Sequence, residues 1–399
     1  LTLFDMQAYE GRLVANMRTS QRPTPISSQF PGLIANIAPE YHAVPAQIFG
    51  GHWFLDEPNW GNAVILVPWE LYQVYGDTTA MSANYEAMVK WLDYEAATKQ
   101  ANGGNIPGLG DWAAAQDTDP QPIIDSGYYR GASTIAKIAQ VLGKTSDVAK
   151  YSALATSLAT EYNTKYLHTD SSGNAWYANN TEASNAVALD AGLVPAQYHQ
   201  AVVNSLVAAV HAFGERLGTG SVALGPLFRT LHDAGQDDLI YQTVTNPTAP
   251  SYAALVNQGA TTLWENLTGS GGSKDHQFLG DVVAWLVHDV VGIDQVDGTR
   301  EYKQLLIRPA IVGDMTHAAG SYTTPAGRAA VDWTRTPDGG VTLNVAVPAN
   351  TTAEIWVPTL GHQVTAPRGV TFTRLDTFDG GQYAVYDAGP GSYRFTGQG

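Results

Sequence analysis

The run Tyr128-Tyr129-Arg130-Gly131-Ala132-Ser133-Thr134-Ile135-Ala136-Lys137-Ile138-Ala139-Gln140-Val141-Leu142, together with the twenty residues after it, decides the fold. It reads as one helix. Beyond a short loop at Gly143-Lys144, the residues Val148, Tyr151, Ala155, Leu158 and Tyr162 recur at three- and four-residue spacing, the apolar stripe of a second helix. Ser146-Asp147 offers side chains to cap its start. The same helix, loop, helix pattern extends outward in both directions. Toward the start, Leu3, Met6, Leu13 and Met17 mark an amphipathic helix, and a loop rich in Pro and Ser runs from Ser20 to Gly32. An irregular aromatic region with Pro39-Glu40-Tyr41 and His52-Trp53 comes next. Ala63 to Tyr75 is apolar nearly all round and so predicts a buried helix, stopped by Gly76 with Asp77 as the next cap. Another helix runs from about Ala80 to Lys99. Toward the end, Val203, Leu206, Val207, Val210 and Phe213 mark a helix, Leu224 to His232 another, and Phe278, Val282, Trp285, Leu286 and Val290 the last. Strand-type alternation is nearly absent before residue 300. Antiparallel helix pairs whose loops carry aromatic and acidic residues suggest an α/α toroid more than a simple bundle, although periodicity alone does not separate the two.

After Gly292-Ile293 the period changes from helical to two. Val341, Leu343, Val345 and Val347 alternate with Thr342, Asn344 and Ala346, a half-buried strand entered through the turn Pro337-Asp338-Gly339-Gly340. Ala353, Ile355 and Val357 alternate in the same way, as do Tyr383 and Val385. Short strands with turn signals between them read as a β-sandwich from about 300 to the end. The expected architecture is therefore mainly α with an appended β domain, divided as residues 1–296 and 297–399.

At 399 residues the chain has material for two or three domains, and 44% hydrophobic against 15% charged residues makes it globular and not disordered. A net charge of −16 argues against nucleic acid or an anionic membrane as partner. No apolar run is long enough to span a bilayer. Without cysteine there are no disulfides, thiolate nucleophiles or zinc–thiolate sites. Ten Trp and twenty Tyr serve first a large core and secondly a pocket that stacks on sugar rings. The start, Leu1-Thr2-Leu3-Phe4-Asp5-Met6, reads like the middle of a helix, so the expectation is a piece of a longer protein. The Ala/Gly/Thr-rich, Lys-poor make-up leans toward a secreted protein without assigning a compartment.

Chemistry concentrates in Gly259-Ala260-Thr261-Thr262-Leu263-Trp264-Glu265-Asn266-Leu267, followed across the glycine tract Gly269 to Gly272 by Lys274-Asp275-His276. A carboxylate flanked by Trp264 and Leu267 has partly apolar surroundings, the kind of setting that tunes a carboxyl for acid or base work. The ordinary alternative is a glutamate that caps or ion-pairs a helix end. His276 can likewise cap a helix start, Trp60 and Trp112 can be core aromatics, and Asp111, after a glycine, can cap a helix from Trp112 onward. His42, His52, His211 and His232 lack the carboxylate spacing of a metal site. Asp117, Asp119 and Asp125 form an acidic loop without an EF-hand pattern. The residues call for neither a metal nor a cofactor.

Four stretches in order carry a family resemblance. They are Asp56-Glu57-Pro58-Asn59-Trp60-Gly61-Asn62-Ala63, leading into Leu66-Val67-Pro68-Trp69 and Tyr72-Gln73-Val74-Tyr75-Gly76-Asp77; Gly110-Asp111-Trp112; Gln258 to Glu265; and Asp275-His276-Gln277-Phe278, leading into Val283-Ala284-Trp285. Leu306-Ile307-Arg308-Pro309 adds a fifth, at the start of the β domain. Together they closely resemble bacterial α-L-rhamnosidases of glycoside hydrolase family 78, over the six-hairpin (α/α)6 catalytic domain and the β-sandwich after it. The resemblance implies that Glu265 is the general base that activates water, that His276 hydrogen-bonds the rhamnose hydroxyls, and that Trp60 and Trp112 line the pocket. Asp56 and Asp111 would hold hydroxyls or orient loops. Terminal α-L-rhamnosides, as small glycosides or polysaccharides, are the implied substrates.

Inverting hydrolysis needs an acid and a base carboxyl about 6.5–9.5 Å apart with water between them. In the family the general acid lies in an acidic Arg- and Trp-containing segment ahead of the helix with which this chain begins. The expectation is that an amino-terminal polypeptide of the same enzyme supplies it, with Glu40, Asp56 and Glu57 as local substitutes. Two other functions compete. A polysaccharide lyase would use a Tyr or His base and a group neutralising a uronate, and no Arg cluster flanks Glu265. A non-catalytic sugar-binding toroid would keep the pocket without the acid.

Overall fold

A computed structural model describes residues 2–22, 30–38 and 56–398. Glu40, His42, His52 and Trp53 lie outside the described residues. The chain forms two compact units, one of Met6–Tyr72 and Asp77–Leu227, the other of Leu1–Asp5, Gln73–Gly76 and Phe228–Gly399.

In the first unit the helices are α1 (Gln7–Ser20), the single turn α2 (Pro58–Gly61), α3 (Ala63–Tyr75), α4 (Thr79–Ala101), α5 (Pro120–Val141), α6 (Thr145–Tyr166), α7 (Glu182–Asp190) and α8 (His199–Ala212), with α3 running on into the second unit. A small hairpin, β1 (Leu167–Thr169) and β2 (Ala175–Tyr177), links α6 to α7. The α5–α6 hairpin forms as its apolar stripe predicts: Tyr128, Ala132, Ile135, Ile138 and Ala139 on one helix and Tyr151, Ala155, Leu158 and Tyr162 on the other are buried. Each large aliphatic or aromatic residue there stabilises by about 1.5–3 kcal/mol through burial. Two starts differ from expectation. The α5 helix begins at Pro120, ahead of Tyr128, because Asp119 caps it and Pro120 suits the first helical position. The α6 helix has no side-chain cap, since Asp147 instead accepts the Tyr85 hydroxyl at 2.8 Å. Leu3 falls in a separate 3-10 turn, Thr2–Phe4, and not in the opening helix.

The second unit carries the end of α9 (Leu224–Asp233), then α10 (Asp237–Thr245), α11 (Tyr252–Asn257) and α12 (Asp281–Trp285). The last predicted helix is built in three pieces: a 3-10 turn at Gln277–Leu279, the α-helical turns of α12, and a π-helical stretch at Leu286–Val290. Ten strands complete the chain: β3 (Ile293–Gln295), β4 (Gln304–Ile307), β5 (His317–Thr324), β6 (Gly327–Arg335), β7 (Val341–Val347), β8 (Thr352–Pro358), β9 (Gln363–Thr365), β10 (Val370–Phe378), β11 (Gly381–Ala388) and β12 (Gly391–Gln398). They make two five-stranded sheets, ordered β10-β11-β8-β4-β3 and β5-β6-β7-β12-β9. Strand β7 buries Val341, Leu343, Val345 and Val347, the alternation read from the sequence. Tyr386 of one sheet meets Phe395 of the other with ring centres 5.1 Å apart, so the faces pack as a sandwich. No described helix is long and apolar enough to cross a membrane.

Candidate active site

Glu265 sits in the loop between α11 and the Gln277–Leu279 turn, not at a helix end. The loop doubles back on itself: Glu265 N–H donates to Ser273 O at 2.9 Å and His276 N–H to Leu263 O at 2.8 Å. Ser273 N–H in turn donates to the Glu265 carboxylate at 2.7 Å. This clasp brings His276 Nδ1 to 3.8 Å from Glu265 Oε2, with the glutamate side chain 19% exposed and the histidine 36%. His276 makes no side-chain capping bond to the turn it precedes, and its ring stands edge-on to Phe278 at 4.2 Å. The Lys274 ammonium lies 3.1 Å from the centre of the Trp264 ring. A positive charge therefore sits on the tryptophan beside the carboxylate. Gly272 sits at φ +70°, which favours glycine, and a Cβ there would lie 2.6 Å from Glu265 Oε2 and displace the carboxylate.

In the other unit, Trp60 and Trp112 meet edge to face, ring centres 6.3 Å apart. The motif that carries Trp60 is tied down by Glu57, which caps α2 and is 1% exposed. Its carboxylate accepts Asn59 N–H at 3.1 Å, Asn59 Nδ2 at 3.0 Å and Gly110 N–H at 3.2 Å, and also takes Leu109 N–H. Glu57 thus ties the Trp60 loop to the loop entering Asp111-Trp112. Its oxygens are spent on the backbone, which suits a structural carboxylate and not a substitute acid. Asp56 accepts the Tyr94 hydroxyl at 2.9 Å, and burial raises its pKa. Gly61 lets the Trp91 ring approach, since a Cβ there would stand 2.3 Å from it.

Asp111 is a cap, but for a distant segment and not for Trp112 onward. It accepts N–H bonds from Gly220 at 2.7 Å and from Val222 and Ala223 at 3.0 Å each, the residues leading into α9. Burial pushes its carboxyl up to about 6 against those three donors.

Sequence reading missed a buried charge cluster in the second unit. His232 Nδ1 is 2.8 Å from Asp237 and its Nε2 3.3 Å from Asp289, on the π-helical stretch, with Arg308 at 3.0 Å. Trp285 Nε1 donates to Asp237 at 2.9 Å. Burial pushes Asp289 up to about 7. The close spacing of His232 and Asp237 is the one local signal, and Asp289 and Arg308 arrive only through folding. His211 pairs instead with Glu215 at the surface. Of the acidic loop, Asp119 caps α5 and Asp125 accepts the Tyr166 hydroxyl at 2.7 Å. Asp117 accepts through its carbonyl from Asn179 Nδ2. Among the described residues no three His, Asp or Glu side chains converge to hold a metal ion.

Helical hairpins followed by a β-sandwich are the arrangement of the six-hairpin glycosidase fold. Residues 1–290 match the bacterial alpha-L-rhamnosidase 6 hairpin glycosidase domain, and residues 292–371 the bacterial alpha-L-rhamnosidase C-terminal domain. The chain belongs to the bacterial α-L-rhamnosidases of glycoside hydrolase family 78. It is 32% identical over 350 residues to the α-L-rhamnosidase of Streptomyces avermitilis, covering 84% of this chain and 32% of that one. It is 28% identical over 329 residues to an Alteromonas sp. α-L-rhamnosidase, covering 77% of this chain and 35% of the relative. The chain thus spans about a third of the length of these curated relatives. Among solved structures, the Streptomyces avermitilis α-L-rhamnosidase complexed with L-rhamnose superposes with a TM-score of 0.83 at 27% identity, over 99% of this chain and 38% of that one. The Dictyoglumus thermophilum α-L-rhamnosidase gives 0.84 at 26% identity, over 99% and 44%. The fold expected from the sequence, a six-hairpin helical domain followed by a β domain, is the fold of these relatives.

Proposed function

We propose that this chain is the catalytic part of an inverting α-L-rhamnosidase acting on terminal α-L-rhamnosides, with residues 1–296 as the catalytic domain and 297–399 as the β-sandwich. The observation that carries the reading is the Glu265–His276 pair, 3.8 Å apart and partly open to solvent on a loop pinned by its own backbone bonds. Glu265 takes a proton from water as the water oxygen bonds to the anomeric carbon and the glycosidic C–O bond breaks on the opposite face. The leaving oxygen receives its proton from the acid partner, which in this reading comes from outside residues 1–399. His276 orients ring hydroxyls, and Trp60 and Trp112 pack against the apolar methyl and sugar face. Asp111, with its oxygens bonded to three backbone N–H groups, acts as a loop-orienting residue, and Asp56 does so through Tyr94.

The test is hydrolysis of p-nitrophenyl α-L-rhamnoside by the full enzyme and by its Glu265→Gln variant. Turnover falls by about 10²–10⁴-fold while L-rhamnose still binds, as expected for loss of a general base. Near-normal turnover in the variant rejects Glu265 as the base. Activity from residues 1–399 alone rejects an outside acid.

A further inference from the structure

Glu182 opens α7 where two loops of the first unit are stitched together. Ala115 and Gln116 N–H donate to Gly218 O at 3.0 and 2.9 Å, and Ser221 N–H donates to Trp112 O at 2.8 Å. Asp111 adds its three bonds to the same 218–223 segment. Glu182 ties both loops to the helix: its N–H reaches Gln116 Oε1 at 3.0 Å, and its Oε2 accepts Gly218 N–H at 2.9 Å. The residue is 0% exposed, and its Oε1 has no hydrogen-bond partner, nor has the buried hydroxyl of Thr219 in the 218–223 segment.

A buried carboxyl, Glu182, and a half-buried one, Asp111, share this clasp, and the backbone treats them unequally. Asp111 receives three N–H donors and Glu182 one. Where donors are few and water is excluded, the charged form is the costly one. Arg216 and the positive end of α7 favour an anion at Glu182, while Asp111 opposes it. Burial wins, and with Asp111 adding its repulsion it pushes Glu182 up to about 8 against the pull of Gly218 N–H and Arg216. Asp111 is thereby the anion of the pair and Glu182 the neutral acid, a division set by their surroundings.

We propose that Glu182 is a positioning residue that works as the neutral acid, holding the Asp111-Trp112 loop in the shape that presents Trp112 to the sugar. The sugar part of this inference rests on reading Trp112 as a pocket wall. Ionisation of Glu182 sets two like charges against each other in the clasp and releases the loop.

Calorimetric titration of the 399-residue chain with L-rhamnose tests it, in wild type, Glu182→Gln and Glu182→Ala. Between about pH 7 and about pH 9 the wild-type affinity falls by about ten-fold, as the neutral fraction does. Glu182→Gln, a permanent neutral stand-in, changes by less than about two-fold over the same range, and Glu182→Ala binds weakly throughout. A Gln variant that tracks the wild type with pH, or that binds as weakly as Ala at neutral pH, overturns the proposal. Thermal melting of wild type and Glu182→Gln over the same range needs no sugar. An acid raised on folding contributes stability at low pH and loses it as pH rises through the folded value, so the wild-type Tm drops relative to the Gln variant. Parallel melting curves overturn the neutral-acid assignment. If neither protein binds L-rhamnose while their melting curves diverge, the sugar reading has failed and the protonation assignment stands.

Discussion

Glu265 and Asp111 look alike in the sequence, each an acid beside a tryptophan in a glycine-containing motif, and the fold gives them different surroundings. Glu265 meets a backbone donor from its own loop, Ser273 N–H, and lies near a histidine ring, with part of its surface in solvent. Asp111 meets three backbone donors from a segment 109 to 112 residues away. A carboxylate offers about four lone-pair positions. One that spends them on backbone N–H groups holds a loop, and one that keeps room for water can do chemistry. Glu95 completes the series. It is 0% exposed with no hydrogen-bond partner on either oxygen.

The largest effect should separate the first two directly. Glu265→Gln lowers turnover by about 10²–10⁴-fold and leaves Tm nearly unchanged. Asp111→Ala leaves three N–H groups unsatisfied and costs about 2–4 kcal/mol of stability, read as a lowered Tm and denaturation midpoint. If Asp111→Ala melts like wild type yet loses turnover, Asp111 belongs with Glu265 and the contrast collapses. Gly272→Ala sharpens the Glu265 side. The added methyl displaces the carboxylate, and a shift of about 1 Å lowers kcat by about 10–100-fold with a stability loss of about 1 kcal/mol. Unchanged kcat in that variant would mean that the position of Glu265 does not matter.

The smallest effect comes from Glu95, where substitution should help. Burial, with Glu57 adding repulsion, raises its carboxyl well above the ordinary range. Its folded form keeps a proton that the unfolded chain loses above about pH 4.5, so stability falls as pH rises through that window. Glu95→Met removes the unpartnered oxygens and should stabilise the fold at neutral pH by about 1–2 kcal/mol, read as a higher Tm, with less gain in acid. A lower Tm at neutral pH would show that Glu95 has a partner in solution.

Most of the helices that could be read were amphipathic, and α3 was read from its long apolar run. The α7 helix was missed because its residues from Glu182 to Leu189 are all buried, leaving no polar face to set a period. The catalytic glutamate and histidine candidates were legible because they lie eleven positions apart on one loop, and that loop folds on itself. The partners of Asp111, Glu182 and His232 were not, because each comes from a segment distant in the chain.

By itself the sequence determined the helical and strand periods, the change from one to the other after Gly292, and the order of motifs that marks the family. Those depend on local sterics and on which face of an element is apolar. Only the tertiary structure decided which carboxyls are tied to distant backbone donors and which are buried with few donors. The ionisation of a carboxyl depends on how many donors and how much water reach it, and in this protein many of those donors come from far along the chain.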